Sequence, residues 1–111
     1  MTITQKRKLT KKQVLAYVRR VQRVFEVRPG VWRANKLVKN HRCCVFGGAT
    51  VLYLKDIEQP VGARHVGRAF LAVADAIPYA VYHAIVYAND FADNGKNAAQ
   101  RIDAVLKEYG A

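Results

Sequence analysis

Three stretches of this chain repeat their apolar residues every three or four positions, and that period commits most of it to helices. Val14, Val18, Val21 and Phe25 form one stripe, Val66, Phe70, Val73 and Ile77 a second, and Ala98, Ile102, Val105 and Tyr109 a third. An α-helix turns once in about 3.6 residues, so each set lines one side of a helix and needs a neighbour to cover it. With 111 residues, about half of them apolar, the chain can bury a single core and not two.

Turn and cap residues divide the chain between these stripes. Met1 to Leu9 has no period and carries Lys6, Arg7 and Lys8, so residues 1–9 read as a mobile basic arm ahead of one helical domain over residues 10–111. Thr10 is an N-cap candidate for a helix from Lys11 to Glu26, with Leu15, Tyr17 and Val24 widening its apolar arc, and Arg28-Pro29-Gly30 stops it. A short apolar helix is predicted over Gly48 to Lys55, another over Ala63 to Ala76, and a fourth over Tyr79 to Ala88 with Tyr82, Ile85 and Val86 as core candidates. Pro78 suits the start of that fourth helix, where its missing N–H costs nothing. Asn97 followed by Gln100 fits a capping box for a last helix ending at Gly110.

Between Val31 and Phe46 the helical period is lost. Short apolar pairs and a turn residue at Asn40 predict a two-stranded hairpin, Trp32 to Lys36 with Arg42 to Val45. Two strands alone are marginal, so the ribbon must pack on helices. Gly47-Gly48 then lets the backbone turn sharply or approach another element closely. The expected architecture is mainly α, about five helices with one short two-stranded hairpin after the first.

Several features fall in an order that resembles a family of small domains of unknown function common in actinobacteria and their bacteriophages. They are Gly30-Val31-Trp32, then Cys44-Val45-Phe46-Gly47-Gly48, then Ile85 to Asp90 and a capped terminal helix. The family pattern runs Gly-Trp, Cys-x-x-Gly-Ala, Trp-Asn-Asp and a capped last helix. Here Val31 separates the Gly from the Trp, Gly48 stands for the Ala, and Ala88 stands for the Trp before Asn89-Asp90. The resemblance covers about residues 14 to 109 and implies a fold and a phage or actinobacterial source. It implies no activity.

Charge is the most informative functional feature. Through Arg42 the chain holds thirteen Lys and Arg against the single acid Glu26, a net +12, whereas from Cys43 onward six stand against seven, a net −1. A strongly basic first third on a neutral helical body suits a polyanionic partner. Lys6, Arg7, Lys8, Lys11, Lys12, Arg19, Arg20 and Arg23 could follow a phosphate backbone, extended along the hairpin by Arg33, Lys36, Lys39 and Arg42. On the first helix, Lys12, Arg19, Arg20 and Arg23 are expected on the solvent side. Neutralising about six phosphates would give a salt slope near −5 on duplex DNA. Trp32 could stack on a base, although anchoring the hairpin is the simpler role. No helix-turn-helix, zinc-finger or ribonucleoprotein signature is present, and an acidic protein is the alternative partner.

Other chemistries have weaker signals. Cys44 is a candidate nucleophile if a helix starts just after it, since the helix dipole and Arg42 would lower its pKa, with His83 and Asn89 as companions. Its bland reading is a small buried residue at a tight junction. His41, Cys43, Cys44, His65 and His83 are the possible metal ligands, but none has the regular ligand spacing of a zinc site, so neither a metal nor a cofactor is expected. Asn89-Asp90 reads as a helix end that holds the following loop. Two adjacent cysteines and no apolar leader suggest reduced thiols and a cytoplasmic setting, in the host if phage-encoded. The apolar tract from Ala69 to Ala88 contains Asp75, Pro78 and His83, which fits two core helices and no membrane span.

Overall fold

The computed structural model describes residues 9–34, 37–39 and 42–111. Five helices and one short strand pair make up the fold: α1 Lys11–Val27, β1 Val38–Lys39, β2 Arg42–Cys43, α2 Val45–Asp56, α3 Ala63–Asp75, α4 Tyr79–Asp90 and α5 Gly95–Glu108. A 3-10 turn over Pro29–Val31 follows α1.

The start of α1 lies where the sequence places it. Thr10 Oγ1 accepts the Gln13 N–H at 3.1 Å and the Gln13 side chain accepts the Thr10 N–H at 2.8 Å, a reciprocal cap that satisfies two otherwise free donors. Val14, Leu15, Val18, Val21 and Phe25 are buried, and Gln22 joins them by donating to the Ala99 carbonyl at 3.2 Å. Packing is organised around this helix. α1 lies between α2 and α5, α3 covers α2, α4 covers α5, and a lighter α2–α4 contact closes the set. Phe46, Phe70 and Tyr82 meet where α2, α3 and α4 converge, with ring centroids 4.9 to 6.3 Å apart.

Three local expectations are corrected. The antiparallel pairing is Val38 with Cys43 and Lys39 with Arg42, so the first strand lies after Lys36, not before it. Trp32 instead forms an isolated parallel bridge to Cys43, because the chain leaving the 3-10 turn passes β2 in the same direction. α2 begins at Val45 and not at Gly48, since two side chains cap it there: Cys44 Sγ accepts the Gly47 N–H at 3.3 Å and Asn89 Oδ1 accepts the Val45 N–H at 3.0 Å. The last helix begins three residues before the expected box. Asn94 is its N-cap, accepting the Asn97 N–H at 2.9 Å, while Asn97 Oδ1 accepts from Asp93 at 3.0 Å.

Two glycines explain how the segment between α1 and α2 can lie against helix starts. A Cβ on Gly47 would fall on the Leu37 carbonyl, and one on Gly95 would fall on the Pro29 carbonyl. Close approach, and not a turn, is the reason for glycine at position 47.

Candidate nucleic-acid interface

The basic surface starts at the first turn of α1. Lys11 and Lys12 are exposed there, Arg23 is exposed about three turns on, and Arg28 is exposed beyond the helix end. Arg42 is exposed on β2. Among the described residues, none of these five takes part in an ion pair. Lys39 contributes its backbone to β1, while its side chain lies outside what is described. Lys6, Arg7, Lys8, Lys36 and His41 fall outside the described residues.

Two arginines of the expected surface, Arg19 and Arg20, are engaged by other side chains. Arg19 does not face open water as expected, because its flank of α1 meets α5. Its Nη1 reaches Asp103 at 2.6 Å and Gln22 at 2.9 Å, and Nη2 reaches the Ala111 carbonyl at 3.0 Å. The Asp103 carboxyl is held below its usual range by this hydrogen bond and by the one from Lys107. Arg20 lies over the Tyr17 ring at 6.0 Å and 3.8 Å from Asp56. Burial, then a 2.7 Å hydrogen bond to Asp56, pushes the Tyr17 hydroxyl up to about 12. Arg33 is half-buried, with Nε out of water and no hydrogen-bond partner among the described residues. Trp32 is half-buried and donates from Nε1 to the Asn89 carbonyl at 3.2 Å, which makes it the anchor of the ribbon.

Cys44 lines a cavity of about 200 Å³ together with Leu37, Phe46, Tyr82, Asn89 and Asp90. Its thiol does sit at the start of α2, yet burial raises its pKa despite the opposing N–H of Gly47. The expected lowering is therefore corrected: desolvation outweighs the helix end. Cys43 is pushed up to about 11 by burial and by its neighbour Cys44. Asn89 borders this cavity, but His83 lines a different surface groove with Tyr87, Ala88 and Arg101. A Cys-His-Asn set is thus not assembled. Among the described residues, no group of three or more His, Cys, Asp or Glu is placed to hold a metal ion. No helix described is long and apolar enough to cross a membrane.

Asn89 does more than end a helix. Its Oδ1 takes the Val45 N–H, its Nδ2 donates to the Arg33 carbonyl at 3.3 Å and to Asp90 at 2.9 Å, and its own carbonyl takes Trp32. One buried amide therefore fixes the ribbon, the start of α2 and the end of α4 together.

Comparison with known proteins finds no matching family model, curated protein or solved structure.

One surface was not singled out in the sequence. Tyr79, His83 and Tyr87 along α4, and Phe91 just past its end, are all exposed. Their four-residue spacing was the available signal, but the same spacing marks core stripes elsewhere in the chain, and apolar residues on the other sides of α4 obscured it.

Proposed function

We propose that this protein is a small non-enzymatic accessory or regulatory protein, of phage or actinobacterial type, that binds nucleic acid through the basic surface of α1 and the strand pair. The observation that carries this is the placement of Lys11 and Lys12. Both are exposed on the first turn of α1, that turn has no acidic residue, and no ion pair among the described residues engages either. The first turn is the positive end of the helix dipole, where a cation opposes helix formation by roughly 0.3–1 kcal/mol and an anion would favour it by as much. The fold gains nothing from these charges, whereas a polyanion would.

Arg23, Arg28 and Arg42 add exposed charge without carboxylate partners among the described residues. Such a surface supplies positive charge to phosphates, so affinity would come largely from counterion release with little sequence preference. The test is binding of mixed-sequence DNA and RNA at about 50 and 200 mM salt. Five neutralised phosphates correspond to a loss of two to three orders of magnitude across that range. Absence of binding at the lower salt contradicts the reading. Capture of one acidic protein from nuclease-treated lysate would transfer the basic surface to a protein partner.

A further inference from the structure

The outer face of α4 carries three rings in line, and Phe91, just past the helix end, adds a fourth. Tyr79 is 77% exposed, Tyr87 51% and Phe91 64%, and His83 is exposed between them. Tyr87 and Phe91 are stacked, and the other neighbouring pairs are tilted. Centroids stand 5.8 Å apart for Tyr79–His83, 6.4 Å for His83–Tyr87 and 4.5 Å for Tyr87–Phe91, with interplanar angles of 39°, 31° and 27°. Folding gains little from this row. The rings are mostly in water, and Tyr, His and Phe are poorer helix formers than the Lys, Glu or Ala that suit a solvent face. Four locally unfavourable choices on one line point to a ligand.

The charges around the row select the ligand class. Arg101 of α5 places its guanidinium 5.9 Å from the Tyr87 ring centroid and donates to the Phe91 carbonyl at 3.4 Å. The one acidic residue of α4, Asp90, accepts from the Asn89 side chain at 2.9 Å and borders the Cys44 cavity. The row thus offers aromatic faces, an imidazole and a guanidinium, a set that fits flat rings joined to anions. Bases along a strand repeat about every 3.4 Å, so one base held between two rings needs about 6.8 Å. The 6.4 Å gap between His83 and Tyr87 is within a small side-chain rotation of that, while the Tyr87–Phe91 pair is closed. A second copy of the chain is a poorer fit. At 150–250 Å² per aromatic side chain, the exposed parts of Tyr79, Tyr87 and Phe91 amount to about 400 Å², half of the ~800 Å² that a stable interface takes from each partner.

We infer that the α4 row is a stacking platform for the unpaired bases of a single-stranded nucleic acid, with one base entering between His83 and Tyr87 and Arg101 meeting the strand beside it. This rests on the nucleic-acid reading above and adds to it the form that is bound, because bases in a duplex are already stacked and offer no free faces.

The test is fluorescence anisotropy of the full chain with a labelled oligothymidylate and with a blunt duplex of equal length, each variant first checked by its thermal melt. The wild type is expected to bind the single strand more tightly than the duplex. Tyr87→Ala should weaken single-strand binding roughly 5- to 150-fold and leave duplex binding in place, and Tyr87→Phe should keep the single-strand affinity. Unchanged single-strand binding by Tyr87→Ala overturns the platform while leaving the basic surface standing. A wild type that binds neither form overturns both. Sedimentation showing a wild-type dimer that Tyr87→Ala dissociates, with single-strand affinity unaltered, would assign the row to self-association and also overturn the platform.

Discussion

The side-chain oxygen of Asn89, near the end of α4, accepts the backbone N–H of Val45, the first residue of α2, at 3.0 Å. Asn89 is 1% exposed, so loss of the bond leaves a buried N–H without its partner. Replacing it with Ala also frees the Arg33 carbonyl. One buried and one part-buried group left unmatched cost about 2–5 kcal/mol together. Asn89→Ala is expected to lower the thermal midpoint by about 10 °C or more, measured by circular dichroism. A melt unchanged from the wild type would remove Asn89 from its central place in the fold.

Glycines at different places should respond in opposite directions. Gly47→Ala and Gly95→Ala drive a methyl group onto the carbonyls of Leu37 and Pro29, which are backbone and cannot rotate aside. Each should cost about 3 kcal/mol or more, or prevent folding. Gly67 lies inside α3 with nothing within 4 Å of an added Cβ. Gly67→Ala should instead stabilise by roughly 0.5–1 kcal/mol. Urea unfolding of the three variants checks both signs.

Acid should weaken the α1–α5 clasp. Asp103 has its carboxyl pKa lowered from 3.8, first by the Arg19 hydrogen bond and then by that of Lys107. A depressed pKa means stability that is present above the unfolded value and is lost as pH falls through the folded one. The wild type should therefore lose stability below about pH 4, and Asp103→Asn should show a shallower loss over the same interval. Identical acid limbs in the two proteins would show that the clasp contributes nothing there.

Alkali should act through the thiols in the opposite sense. Burial raises Cys43 to about 11 and also raises Cys44, so both bind their protons more tightly when folded. Their contribution is whole below the unfolded pKa of about 9 and is lost as pH rises beyond it. Unfolding midpoints should fall between about pH 9 and pH 11, and less so in Cys43→Ala. At pH 8 iodoacetamide should label the folded chain far more slowly than the denatured one. Fast labelling of folded Cys44 would restore it as a nucleophile.

Much of this fold was legible because the interactions that set its helices are local. The stripe of Val14, Val18, Val21 and Phe25 and the cap at Thr10 suffice to locate α1. What could not be read depended on distant partners. α2 starts at Val45 because Asn89, forty-four residues away, caps it. Arg19 leaves the solvent face because Asp103 faces it from α5. The segment between α1 and α2 lies close over Gly47 and Gly95, contacts that neither its alternation nor its turn residues encode. Of the proposed interface, the sum of charge was visible in the sequence. Which cations stay outside ion pairs was not, since that requires knowing where Asp56 and Asp103 sit.

The most direct measurement is the dependence of nucleic-acid affinity on salt for the wild type and for a variant carrying Lys11→Gln, Lys12→Gln and Arg23→Gln. All three side chains are exposed and outside the ion pairs of the described residues, so the fold should be retained. If they contact phosphates, the slope of log affinity against log salt becomes shallower by about 2.7 units on duplex DNA, roughly 0.9 for each contact removed. A variant that binds with the wild-type slope and affinity would contradict a nucleic-acid role for the basic surface of α1.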